Sequence, residues 1–389
     1  MALAALVSAA AVWFCHRRGY TLYYGDAASH VNIARKVVDS RTPGWEQVGT
    51  VWLPLPHALM APLVRVDSLW RSGAAGAIPA ACCFVLAAGF LYAAVRRATG
   101  SRAGGGAAAA AFTLNPNALY LQSTPMTEPV FFGCLTAFVY FCVSFQAQPR
   151  WRRAMAAAVA ALAATLTRYE GWLLIPLGAL FFLLCRARLA AAVFLVVSSA
   201  GPVYWLGHNW YYYGDALEFY RGPHSTQAIY ERGLARGDRP NPGRRDLPVA
   251  WQYYRAAMEM ALGQPLVWAG AAGAGAMLFR GSTRPLLLLA VPAPFYLASL
   301  YAGGTPLYLP TLQPFSYYNT RYALAALPVC AAGIGTLAAL WPRSLPRAAT
   351  AAGLLAACLW PWTTRLKPES WVCWKESEVN SRGRRDWTR

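Results

Sequence analysis

Charge is scarce in this chain, and acidic charge is confined to part of it. Only 13% of the 389 residues are Asp, Glu, Lys or Arg, against 57% hydrophobic and 14% aromatic. A soluble domain carries roughly 25% charged residues, so the composition excludes an ordinary soluble protein and marks an integral membrane one. Twelve arginines (Arg96, Arg97, Arg102, Arg150, Arg152, Arg153, Arg186, Arg188, Arg280, Arg284, Arg343, Arg347) lie between apolar stretches in segments that hold no Asp or Glu. Short loops rich in Lys and Arg stay on the cytoplasmic side. All sixteen carboxylates are therefore expected on the other side, and chemistry that uses one is extracytoplasmic.

Other absences narrow the function. The sequence has no P-loop, GxGxxG fingerprint, GxSxG elbow, HExxH or DxD. With no inner carboxylate, a cytoplasmic nucleotide-sugar site would lack oxygen ligands for its metal. Nine cysteines are present without CxxC or His/Cys metal spacing. Cys82, Cys83, Cys134, Cys142, Cys185, Cys330 and Cys358 lie in apolar runs, where a thiol behaves as a small hydrophobe, and Cys373 alone is clearly in a polar segment. Neither structural zinc nor an obligatory disulfide is expected. The net charge of +19 divides into +12 from the inner segments and +7 from the rest, 23 basic minus 16 acidic residues. It is read as topology and as contact with anionic membrane lipids, with no nucleic-acid partner.

Apolar stretches recur at 2–15, 74–95, 103–119, 128–146, 154–167, 171–185, 189–207, 263–279, 285–302, 321–341 and 346–362. They predict an all-α membrane bundle of about eleven transmembrane helices, several of them short and therefore tilted. The first lacks a basic n-region and a small-residue cleavage site, and is expected to remain as a helix. A transmembrane domain over 1–362 then carries outer loops at 16–73, 208–262 and 303–320, with an outer bend near 120–127 and an extracytoplasmic tail at 363–389. In the first loop, Ala27, Val31, Ala34 and Val38 form the stripe of an amphipathic helix lying along the interface. VWLPLPHALMAPLV is broken by three prolines and predicts a re-entrant or surface-lying segment. Trp205, Trp210, Tyr211, Tyr212 and Tyr213 predict an interfacial aromatic belt.

Four polar constellations stand on this outer side, each with two readings. Asp26 follows Gly25 at the head of the loop helix, either as an N-cap or as a general base with His30 one turn on to contact substrate. Glu128, in STPMTEP, either caps a helix that has Pro129 in its first turn or brings a second carboxylate to the same pocket. In TLTRYEGW, Arg168 and Glu170 either snorkel to the interface or sink into a functional cavity. Asn319, Arg321 and Tyr322, in NTRYALAALP, either anchor a helix or bind an anion at its N-terminus.

With YYGDAASHVNIAR, STPMTEP, TRYEGW and NTRYALAALP in this order, the chain resembles the GT-C fold glycosyltransferases that use lipid-linked sugars. That group holds protein O-mannosyltransferases, the aminoarabinose transferase of lipid A and the bacterial RgtA/B/C/D-like proteins. The resemblance implies a polyprenyl-phosphate sugar donor, an inverting single displacement and an outward-facing site in a bacterial inner membrane. It also implies Asp26 as base, Glu128 as second carboxylate, and Arg168 and Arg321 as candidates for the donor phosphate. Two departures stand out. Ala27 replaces the second member of the Asp-Glu pair of protein O-mannosyltransferases, and the acidic triplet that binds metal in oligosaccharyltransferases is missing. No metal or other cofactor is expected to be required, and the acceptor (glycan, lipid or protein) is left open. A transporter or flippase is the competing reading, which inverted repeats would favour.

Overall fold

The computed structural model describes residues 1–364 and 368–386. Among these, secondary structure is helical, apart from one isolated antiparallel bridge between Tyr308 and Tyr318. Each of the eleven apolar stretches contains helix. Five are long and apolar enough to cross a membrane: Ala74–Thr99, Glu128–Ala147, Arg188–Tyr213, Arg284–Ala302 and Thr320–Ala338. Ala2–Arg17 and Tyr169–Leu184 are shorter apolar helices. The apolar stretch at 103–119 is not one helix. It breaks after Thr113, and Asn115 caps a second piece, Pro116–Leu121, by accepting from the Ala118 amide at 3.0 Å.

Small residues set the packing. Lipid offers no hydrophobic drive for helix association, so backbones that approach closely do so at Gly and Ala. The helix Gln264–Met277 meets Leu327–Ala338 where Gly273 faces Gly333, and a Cβ on Gly273 would stand 2.1 Å from the Gly333 carbonyl oxygen. Of the five long spans, Thr320–Ala338 is the most interior, with 89% of its apolar window buried against 33% for Arg188–Tyr213. Arg321 thus sits at the mouth of the central helix.

The first long loop and the C-terminal segment are folded onto this bundle. Gly25–Val38 buries Ala27, Val31 and Ala34, the expected stripe. The proline-broken segment forms only the short helix Leu55–Met60, and Met60 with Val64 in the turn after it packs against Val31 and Ala34. Trp210 and Tyr211 are exposed, as a belt requires, but Trp205 is fully buried against Val48 and Leu53. Its Nε1–H donates to the Tyr169 hydroxyl, which gives the indole an internal partner. All nine cysteines are free thiols, and Cys373 is buried. The segment read as a polar tail contains the helix Val372–Asp386, with Val372, Cys373, Glu376, Ser377 and Ser381 buried against the bundle.

Candidate active site

Asp26 does not cap its helix: Tyr24 is the N-cap, with no side-chain cap bond. Its carboxylate instead accepts from Nη2 of Arg321 at 2.5 Å, across 295 residues of sequence. Arg321 is 6% exposed and lies over the rings of Tyr322 and Tyr24, at 4.8 and 5.2 Å from their centroids. Its Nε is 3.3 Å from Glu128, and its Nη1 is 3.4 Å from Glu376. One guanidinium therefore ties together the first loop, the second acidic bend and the C-terminal helix.

Glu128 leads on to a second arginine. Arg168 Nη1 is 3.1 Å from Glu128, its Nε donates to Glu170 at 2.5 Å, and its Nη1 donates to the Thr127 hydroxyl at 2.6 Å. The Tyr296 hydroxyl accepts from Arg168 and donates to Glu170 at 2.8 Å, while its ring stacks on Tyr322 at 4.6 Å. Thr127 is the N-cap residue, but it spends its hydroxyl on Arg168 rather than on the helix. With every group ionised, four carboxylates (Asp26, Glu128, Glu170, Glu376) face two guanidiniums, a net of −2. Burial raises the Glu376 carboxyl above its ordinary range, opposed by Arg321 and by hydrogen bonds from Thr320 and Asn319, which reduces that excess. Both Glu128 oxygens and Arg321 Nε are buried without a hydrogen-bond partner. Glu128 Oε1 is met by charge instead, 3.1 Å from Arg168 Nη1 and 3.3 Å from Arg321 Nε.

Asn319 takes the left-handed conformation (φ 56°), and the following turn, Thr320–Ala326, is 3-10 rather than α. The helix mouth does attract an anion there, and that anion is the protein's own. Glu376 accepts from the Asn319 and Thr320 amides at 3.0 and 2.7 Å and from the Thr320 hydroxyl at 2.5 Å. The amides that the sequence reading offered to a phosphate are thus engaged.

Above Asp26 opens a cavity of about 1120 Å3. Its walls come from residues 48–52 of the first loop, 224–242 of the large loop and 304–318 of the late loop, and Asp26, Asn319, Arg321 and Tyr322 line its base. Asp26 is the accessible carboxylate of the cluster, its side chain 42% exposed against 6% or less for the other three. Arg168 and Glu170 do not line this cavity. Neither does His30, which is turned into the protein. Its Nδ1 lies 3.0 Å from Nε2 of His57, and its ring packs on Trp52, a cavity residue, at 4.5 Å. Burial first, then the charges of Arg168 and Arg321, push the His30 imidazole down to about 3, and His57 is likewise held well below its usual range by burial. Both are neutral, and the spacing of Asp26 and His30 puts only Asp26 at the cavity.

Glu376, His57 and Tyr296 were not among the residues expected from the sequence. The signal for Glu376 was present: Val372, Cys373, Glu376, Ser377 and Ser381 recur at helical spacing. Among the described residues, no group of three or more His, Cys, Asp or Glu side chains is arranged to hold a metal ion. The carboxylates here are met by arginines instead.

Residues 66–214 match the family model described as dolichyl-phosphate-mannose-protein mannosyltransferase. The crystal structure of the Archaeoglobus fulgidus oligosaccharyltransferase, a complex with Zn and sulfate, superposes with a TM-score of 0.51 at 15% identity, over 84% of this chain and 44% of that one. The chain has a GT-C glycosyltransferase fold. It spans under half the length of that archaeal enzyme. No curated protein matches it in sequence. Within this fold, Asp26 and Arg321 bring the ion-pair cluster to the cavity.

Proposed function

We propose that this protein is a membrane glycosyltransferase that moves a sugar from a polyprenyl-phosphate donor to an acceptor hydroxyl, with inversion, at the extracytoplasmic face. In this reading the chain crosses the membrane eleven times, the short helices tilted, and the cavity opens on that side. Asp26 is the general base. The acceptor oxygen attacks the anomeric carbon, its proton passes to Asp26, and the bond from that carbon to the phosphate oxygen breaks, so polyprenyl phosphate leaves with the electron pair. Arg321 is the donor-phosphate residue. While Asp26 is ionised it holds Nη2 of Arg321; once Asp26 takes the proton that ion pair weakens, and the guanidinium can face the charge growing on the leaving phosphate. Arg168 acts on the donor only through Glu128. No step calls for a metal ion.

The observation that carries this reading is an accessible carboxylate, paired with a buried arginine, in the lining of a large cavity. The test incubates purified protein in lipid with labelled polyprenyl-phosphate sugars and follows transfer and product anomeric configuration. Asp26→Asn should lose turnover while expressing and melting as the parent does. A variant with parental turnover would refute the base assignment.

A further inference from the structure

The C-terminal helix contacts both segments that carry the Asp26–Arg321 pair. Glu376, 1% exposed, holds the turn before Arg321 through two backbone amides and the Thr320 hydroxyl, and reaches Arg321 itself at 3.4 Å. One turn back, the Cys373 carbonyl accepts from the Tyr24 hydroxyl at 2.8 Å and the Cys373 amide donates to Asn117 at 3.0 Å. Ser377 pairs with the Tyr120 hydroxyl at 2.7 Å. At the far end Arg384 donates to the carbonyls of Leu22 and Tyr23 at 2.7 and 2.9 Å, and the Arg385 guanidinium lies 4.4 Å from the Tyr23 ring. Leu22 to Tyr24 lead directly into Gly25 and Asp26.

The helix therefore fixes both partners of the Asp26–Arg321 pair from opposite ends: Glu376 fixes the arginine, and Arg384 fixes the turn that leads into the carboxylate. Neither Glu376 nor Arg384 lines the cavity. A brace for stability alone would not need a buried carboxylate aimed at a guanidinium that already has two others, since removing charges from water is costly. We propose that the C-terminal helix is an active-site element, with Glu376 and Arg384 as positioning residues that set the distance and angle between Asp26 and Arg321. The inference rests on Asp26 being the base. It adds that the rate depends on a helix outside the membrane bundle and outside the cavity.

A displacement of about 1 Å at a reacting group is enough for roughly a hundredfold in rate. In the full-length protein, Glu376→Gln keeps the shape but loses the charge, so kcat should fall by about tenfold to a hundredfold while KM for the donor lipid moves less than about threefold. Arg384→Met, on an exposed end of the helix, should lower kcat by about threefold to tenfold with the same unmoved KM. A purely structural role would lower the melting temperature and the active fraction but leave kcat per folded molecule intact, so active protein is counted in each variant. If Glu376→Gln does not fold, Arg384→Met decides alone. Parental kcat in the folded variants alongside an inactive Asp26→Asn would overturn the proposal. Parental turnover in Asp26→Asn would instead sink the base assignment on which it stands.

Discussion

Arg168 and Arg321 flank the same carboxylate, Glu128, yet they are built for different ends. Arg168 meets partners that are themselves buried: Glu128 and Glu170 are 6% and 5% exposed, and Tyr296 closes the ring by bonding both Arg168 and Glu170. Arg321 meets Glu128 and Glu376 in the same way but spends its shortest contact on Asp26, which opens to the cavity. Desolvated charge persists only when its partners are held in place. Arg168 is therefore a keystone whose loss strands Glu170, whereas Arg321 couples that buried network to an accessible carboxylate. Under the proposed function, the closed half supports and the open half reacts.

The largest effect expected from this contrast is at the open end. Asp26→Asn should reduce turnover by about 10²–10⁴-fold, the usual contribution of a general base, with thermal stability close to parental because Asp26 is the most exposed member of the cluster. The next is at the closed end. Arg168→Ala leaves Glu170 buried without a cation and Glu128 with Arg321 alone, and breaking a buried pair typically costs about 3–5 kcal/mol, read as a large fall in melting temperature or as failure to fold. Melting curves of the two variants side by side check the comparison. Should Asp26→Asn melt far below Arg168→Ala, the roles of the two centres are reversed.

The contrast also shows which parts of the architecture were legible in sequence. Apolar runs located the helices because hydropathy is a local property, and the stripe of Ala27, Val31 and Ala34 placed the loop helix correctly. Asp26, Glu128, Arg168, Glu170 and Arg321 were each singled out, and the fold brings all five into one ion-pair network. What local pattern could not supply was pairing. That Arg321 meets Asp26 depends on contacts across 295 residues, and that the helix mouth at Asn319 is filled by Glu376 depends on a segment whose polarity made it read as a tail. His30 was drawn to the cavity by its spacing from Asp26. Its actual partner, His57, lies in the proline-broken segment that carried no polar signal.

A smaller effect sharpens the comparison from the side of the histidine pair, which feels the charges of both arginines. His30 titrates near its ordinary 6.5 when unfolded and about 3 when folded, so between those pH values the unfolded chain binds more protons and stability falls with falling pH. At pH 5, about 1.5 units below the unfolded value, this amounts to about 2 kcal/mol for His30 at 1.36 kcal/mol per unit. His57 adds in the same direction. His30→Gln removes the titration but can still bond His57, and its melting temperature should fall less than the parent's between pH 7 and pH 5. An unchanged pH slope would mean that the pair is already charged in the fold, and that the arginines do not reach it.

The smallest effect expected is none at all. Asp26 and Glu128 each face a guanidinium at 2.5–3.3 Å, and a divalent cation would have to displace Arg321 to gain both as ligands. Hard cations such as Mg²⁺ and Ca²⁺ demand several oxygen ligands at about 2.0–2.6 Å, and the arginine side chains hold the carboxylates for themselves. Transfer measured after exhaustive chelation should equal that of untreated protein, and added Mg²⁺, Mn²⁺ or Zn²⁺ should leave it unchanged. The readout is sharper if melting is followed in the same samples, because a cation bound only to the fold stabilises without any change in rate. Activity that vanished on chelation and returned with one metal would mean that Asp26 and Glu128 are ligands in the working state. Arg321 would then swing out toward the donor, and the open half of the site would be a metal centre that the resting ion pairs protect.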